Sequence, residues 1–202
     1  DPSRAFTNAA YGTAYNRNFV TTGEFSKILQ QLYDTGYVLV DFNSFVGSSM
    51  DVNGNEKFEV VPMYLPADKK PVMITETMVN YFNYMIDSDG DNVPDKNGAG
   101  FASRLVVRNG EIKAEMVNST GEAVVGNYDL VPILETFIQE HPDFSYGGSK
   151  ATIALSGYNG LFGYRTGTDF ENYLGTAKHD EEVAAAKVIA TALIRSGYDL
   201  AC

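Results

Sequence analysis

Three short apolar runs, at 37–40, 71–75 and 151–155, are interspersed with stretches at 21–33, 130–140 and 180–196 whose apolar residues fall at helical spacing. This alternation constrains the fold most. Parallel strand neighbours need a long, usually helical, crossover, and helices then cover the strand faces. The first helix is predicted from Thr21 to Tyr33. Thr21 and Glu24 fit a capping box, Phe25, Ile28, Leu29, Leu32 and Tyr33 share one face, and Gly36 stops it. A second is predicted from Leu130 to Glu140, with Asp129 as cap and Pro142 just beyond. A third is expected from about Asp180 to Ser196, with Asp180, Glu181 and Glu182 at its positive end and Arg195 at its negative end. His179 falls just before that helix, and residues 198–202 look like a strand that has only begun.

Two turn signals add β-ribbons. Asn53-Gly54 leads into 58–65, where Pro62 marks an edge strand or a bend, and Asn109-Gly110 joins 104–107 to 111–117. Residues 79–86 fit either helix or irregular structure, and 87–100 is a polar loop. The expected fold class is therefore α/β with inserted β-hairpins, in a single domain covering residues 1–202. The 202 residues, 44% of them hydrophobic, suffice for one core. They are few for a complete (β/α) barrel of about 250 residues.

A net charge of −11 argues against nucleic acid and anionic membrane surfaces, which call for a basic face. No apolar run approaches the ~18 residues of a membrane span. The chain begins at Asp1 rather than Met, which suggests that a preceding segment has been removed. Cys202 is the single cysteine, so an intrachain disulfide and a zinc–thiolate site are both excluded by count. The two histidines, His141 and His179, have no ligand partner in sequence and read as structural or surface residues.

The strand at 71–75 ends in the polar residues Thr75, Glu76 and Thr77, and in parallel α/β folds chemistry sits beyond the carboxyl ends of strands. The stretch from Leu65 through Lys70-Pro71 to Met78 resembles the first motif of the polysaccharide deacetylases, carbohydrate esterase family four. In that family an apolar strand ends in Thr, an aromatic residue and two aspartates, one a base and one a metal ligand. Thr75 matches, while Thr77 and Met78 stand at the aspartate positions. Further segments resemble a bacterial subgroup of the family: 25–37, Pro142-Asp143-Phe144-Ser145-Tyr146, 152–155, Gly157-Tyr158-Asn159-Gly160, Gly163-Tyr164-Arg165-Thr166, and the final helix into 197–201. The resemblance implies a partial distorted (β/α) barrel, the N-terminal part of a larger domain. It also implies an extracellular or cell-envelope setting and N-acetylated glycans as substrate class. The two metal-binding histidines of the family's second motif are expected immediately after Cys202. Zinc or another divalent cation thus requires residues beyond this chain.

Metal-assisted amide hydrolysis needs a Lewis acid and a carboxylate that takes the proton of water. Thr77 is no base at neutral pH, and Met78 is a poor ligand for a hard or borderline cation. Glu76 is adjacent, but strand alternation turns it to the opposite face from Thr77. This chain alone is expected to be inactive, either as an incomplete hydrolase, a glycan-binding domain or a calcium-stabilised envelope scaffold.

Two further constellations stand out. Asp87, Asp89, Asp91 and Asp95 are four carboxylates that must be screened by a cation or by solvent. Their spacing resembles calcium loops of the thrombospondin type 3 kind. An EF-hand is excluded because its twelfth position is Gly98 rather than a bidentate Glu. Oxygen-only ligands favour calcium in a structural role. The glycine-rich stretch 156–165 follows a strand and offers Tyr158, Asn159, Tyr164 and Arg165 as candidate sugar contacts. It is neither a P-loop nor a nucleophile elbow. The plainer alternative is a tight connection with its tyrosines packed on the core.

Overall fold

The computed structural model describes residues 1–8, 11–77, 79, 81–89 and 94–202. Met78 and Asp91, two of the expected site positions, lie outside the described residues. Helices α1 (Pro2–Ala5), α2 (Gly12–Asn18) and α3 (Thr22–Asp34) come first, followed by strands β1 (Tyr37–Leu39), β2 (Val46–Met50), β3 (Glu56–Val60), β4 (Lys70–Val72) and β5 (Thr75–Thr77). Next are β6 (Ala102–Arg108), β7 (Glu111–Val117), β8 (Ala123–Gly126), α4 (Leu130–Glu140) and β9 (Thr152–Ala154). Helices α5 (Thr168–Leu174) and α6 (Thr176–Arg195) and strand β10 (Asp199–Ala201) complete the order.

The architecture is mixed α/β with several small sheets, and no closed barrel forms among the described residues. β1 pairs with β4 in parallel, and β5, β9 and β10 form a parallel sheet in the order β10-β9-β5. The parallel runs anticipated from the sequence are therefore present, but the middle one differs in two ways. It is split at Met73–Ile74 into β4 and β5, and it is not a buried strand. Pro71, Met73, Thr75 and Thr77 face solvent while Val72, Ile74 and Glu76 turn inward.

Both hairpins form around their Asn-Gly turns. β2 and β3 pair antiparallel, and β6, β7 and β8 make an antiparallel meander. β3 stops at Val60 instead of running to 65, since Pro62 has no N–H to offer a ladder. β7 alternates cleanly, with Ile112, Ala114 and Met116 buried against the core. The core joins Leu29 of α3, Leu39 of β1, Leu134 of α4, Ile153 of β9 and Leu193 of α6, all fully buried.

Local chemistry accounts for the helix ends. Thr21 Oγ1 accepts from Glu24 N at 3.1 Å while Glu24 Oε2 accepts from Thr21 N at 2.9 Å, a complete capping box. Helix α4 has the expected bounds, with His141 at its C-cap packed 4.3 Å from the Tyr33 ring and 4.6 Å from that of Phe137. Helix α6 begins a turn earlier than expected. Gly175 (φ +80°) hinges α5 directly into it, so Asp180–Glu182 lie inside the helix and not at its start. His179 is accordingly helical and buried, its Nε2 3.1 Å from the carbonyl oxygen of Gly167. No helix is long and apolar enough to cross a membrane, among the described residues.

Candidate functional site

The parallel register sets Thr75, Glu76 and Thr77 of β5 beside Thr152, Ile153 and Ala154 of β9. The segments leaving the carboxyl ends of these two neighbours meet. Phe162 N donates to Val79 O at 3.1 Å, and Asn83 N donates to Asn159 Oδ1 at 3.3 Å. Arg165 fastens them together, with Nη2 donating to Tyr81 O at 2.9 Å and Nη1 to Asn159 O at 2.6 Å. Gly163 lets the same loop press against β6, since a Cβ there would lie 2.3 Å from Ser103 O and 2.5 Å from Arg104 Cα.

Thr77 lies exposed at the end of β5, and its hydroxyl brings no carboxylate to the position where the resemblance expects a base. Glu76 points inward, as alternation predicts, and its Oε2 is buried with no donor reaching it. Its neighbour is Asp129, whose carboxyl lies close enough to raise its pKa. Two carboxyl groups can hydrogen-bond only if one of them carries a proton. Asp129 is the acceptor of the two by its surroundings: it receives Leu130 N at 2.5 Å as the cap of α4 and also the Tyr81 hydroxyl. Burial pushes the Glu76 carboxyl well above the ordinary carboxylate range, and the Asp129 charge adds to this. Burial likewise pushes the Tyr81 phenol well up, with Asp129 and Glu76 reinforcing it.

Close to this pair, Lys150 Nζ meets Glu135 Oε1 at 2.9 Å. The Tyr198 phenol is raised by burial first, and then by Glu135 and Glu76. The arrangement can hold a proton out of reach of solvent, and its buried carboxyl is not displayed for attack on an external substrate.

The four candidate sugar contacts separate. Tyr158 is 67% exposed, with its ring 5.7 Å from that of Phe82. Buried Phe82 stacks on Tyr84 at 5.3 Å, and Tyr84 continues to Tyr11 at 6.4 Å, so Tyr158, Tyr84 and Tyr11 are exposed around a buried ring. Asn159 is half-buried in the left-handed region (φ +59°), and Arg165 is half-buried as the loop clamp. Tyr164 belongs to the core: it is buried and its hydroxyl donates to Leu105 O at 2.9 Å, so it is not available as a surface contact.

Asp87, Asp89 and Asp95 converge, with one carboxylate oxygen of each lying within 4.8 Å of the others. Asp87 is buried, Asp95 half-buried and Asp89 exposed. The loop is held by backbone as well as carboxylates: Ser88 N donates to Asp95 Oδ2 at 3.1 Å and Asp95 N to Ile86 O at 2.7 Å. The N-terminal segment braces it, Asn8 Nδ2 donating to Ser88 O at 3.1 Å and Arg4 to Gly98 O. Three clustered carboxylates can supply the charge and hard oxygens that a divalent cation requires.

Sequence reasoning named Glu76 only as a neighbour of the motif, and Asp129 only as a cap. The available signal was the inward period shared by Val72, Ile74 and Glu76, which puts a carboxyl on an apolar face where it needs a partner. Searches against family models, curated proteins and solved structures find no match for this chain.

Proposed function

We propose that this chain is a polysaccharide deacetylase-like domain that binds N-acetylated cell-wall glycans at the carboxyl ends of β5 and β9, with its hydrolytic motif substituted. In this reading its α/β frame is part of a distorted (β/α) barrel, and its setting is extracellular or in the cell envelope. One observation carries the reading. The segments following two adjacent parallel strands meet, and together they expose Tyr158 and Tyr84 on either side of the buried Phe82 ring, where α/β folds place ligand sites. Exposed aromatic faces suit the C–H faces of pyranose rings, and the nearby Asn159 and Arg165 add polar groups. Thr77 supplies no general base, which favours binding over turnover.

The test is a titration of the protein with N-acetylglucosamine oligosaccharides by calorimetry, beside an acetate-release assay with added zinc or cobalt. Saturable binding that Tyr158→Ala weakens at least about tenfold, without acetate release, is the expected result. No binding at millimolar oligosaccharide would defeat the proposal.

The convergence of Asp87, Asp89 and Asp95 favours a second reading, a calcium-stabilised envelope scaffold. We propose calcium as a structural ion there, with Asp91 a further candidate ligand. Zinc enters this reading only with histidines from outside the chain.

A further inference from the structure

We propose that β3 is a self-association edge, through which two copies of this chain join their β2–β3 ribbons into one four-stranded antiparallel sheet. Among the described residues β3 pairs only with β2, and all five of its residues are exposed. The ribbon is amphipathic. The register places Val46, Ser48 and Met50 opposite Val60, Phe58 and Glu56, so these six share a face, while Lys57 and Glu59 point the other way with Gly47 and Ser49. That first face is open to solvent, with Met50 72%, Phe58 67% and Val60 81% exposed. A lone two-stranded ribbon in water is marginal, and more strands stabilise it.

The ladder shows which backbone groups remain to pair. Asp51 N donates to Asn55 O at 2.9 Å and Val61 N to Phe45 O at 2.8 Å, which makes 51/55 and 45/61 hydrogen-bonded pairs. Antiparallel pairs alternate between bonded and non-bonded, so 56, 58 and 60 turn their N–H and C=O groups away from β2. A second β3 strand must engage these outward groups, and a two-fold relation then puts the centre of pairing on one residue between 56 and 60.

Charge selects among the centres. Centring on Glu56, Lys57 or Glu59 sets that residue against its own copy, a like-charge pair. Centring on Val60 brings Pro62, which has no N–H, opposite Phe58. Centring on Phe58 places Lys57 of each copy against Glu59 of the other, pairs Phe58 with Phe58, and uses the outward groups of 56, 58 and 60. Lys57 and Glu59 then occupy non-hydrogen-bonded positions, where facing side chains come closest. Neither has an ion-pair partner within its own chain, among the described residues. Lone charges on an edge strand deter pairing, whereas this pattern is complementary to itself. One such edge is a small interface, so the association is weak and concentration-dependent.

Sedimentation equilibrium of the whole chain across micromolar to millimolar concentrations tests this directly. The expected result is a reversible monomer–dimer equilibrium that weakens as salt rises. Lys57→Glu and Glu59→Lys should each weaken it at least about tenfold, because each creates two like-charge pairs. The double variant carrying both changes should recover the parental dimer. A monomer at every concentration would overturn the proposal and leave the face to a different protein. A dimer indifferent to single charge reversal, or one the double variant fails to restore, would overturn it too. Circular dichroism of each variant confirms that these exposed changes leave the fold intact.

Discussion

Replacing Glu76 by Gln should make the protein progressively more stable than the parent as pH rises. The folded parent buries the Glu76 carboxyl beside Asp129 and retains its proton, whereas the unfolded chain releases that proton near the ordinary value of 4.5. Below that value both states are protonated, and the site contributes no pH dependence. Above it, the folded state binds one more proton than the unfolded state. Stability is then lost at about 1.4 kcal/mol per pH unit, until the folded carboxyl itself ionises and the loss levels off. For a chain of this length that corresponds to roughly 3–6 °C in Tm per pH unit. Glutamine has nearly the same shape and donates an N–H to Asp129 at every pH, so it removes the penalty without opening a cavity. Thermal unfolding of parent and Glu76→Gln, followed by circular dichroism from pH 4 to pH 8, should give curves that diverge with this slope. Parallel curves would show that no proton is held between the two carboxyls. Infrared difference spectra of the parent offer an independent check, since a protonated carboxyl stretch should persist at neutral pH.

Asp129→Ala should cost about 2–4 kcal/mol in denaturant unfolding, because it removes a helix cap and leaves the Tyr81 hydroxyl without its acceptor. Calcium should raise Tm by mass action, and Asp87→Asn should remove most of that rise; identical melting in calcium and in chelator would count against the ion. The chain should release no acetate from chitooligosaccharides with zinc or cobalt, and Thr77→Asp with Met78→Asp should not rescue it; metal-dependent turnover in either protein would force a search for another base. Thr21→Ala should lower stability by about 1 kcal/mol while leaving glycan binding unchanged, as both hydrogen bonds of its hydroxyl go to Glu24 within the capping box.

The elements legible in the sequence were those with chemistry at both ends. Asp129 and Pro142 bracket α4, Thr21 and Gly36 bracket α3, and each Asn-Gly pair dictates a hairpin. Helices α1, α2 and α5 escaped because four to seven residues carry too little periodicity to register. The start of α6 was misplaced because the acidic run looked like a helix N-terminus. In fact Glu182 faces inward to accept Arg165 N at 3.0 Å. Convergence of Asp87, Asp89 and Asp95 was readable because all three lie on one loop. The meeting of Glu76 with Asp129 was not, since it depends on where β5 lies relative to the start of α4. Tyr158 and Tyr164 are chemically identical in a string of letters, and only the turn at Gly160 and Gly163 sends one to the surface and the other inward.

Tyr81 (φ +53°) and Phe162 (φ +55°) sit in the left-handed region, each with its ring buried. At both positions the backbone favours glycine while the surroundings favour a large ring, and no natural side chain satisfies both. Glycine would relieve roughly 1–2 kcal/mol of backbone cost and forfeit more than that in lost packing. Laboratory randomisation of these two codons should therefore return a narrow set of aromatics under selection for folding. Most neighbouring surface codons should drift freely. That mutational rigidity would fix the path of the loops that carry Tyr84 and Tyr158, however far these exposed rings themselves diverge.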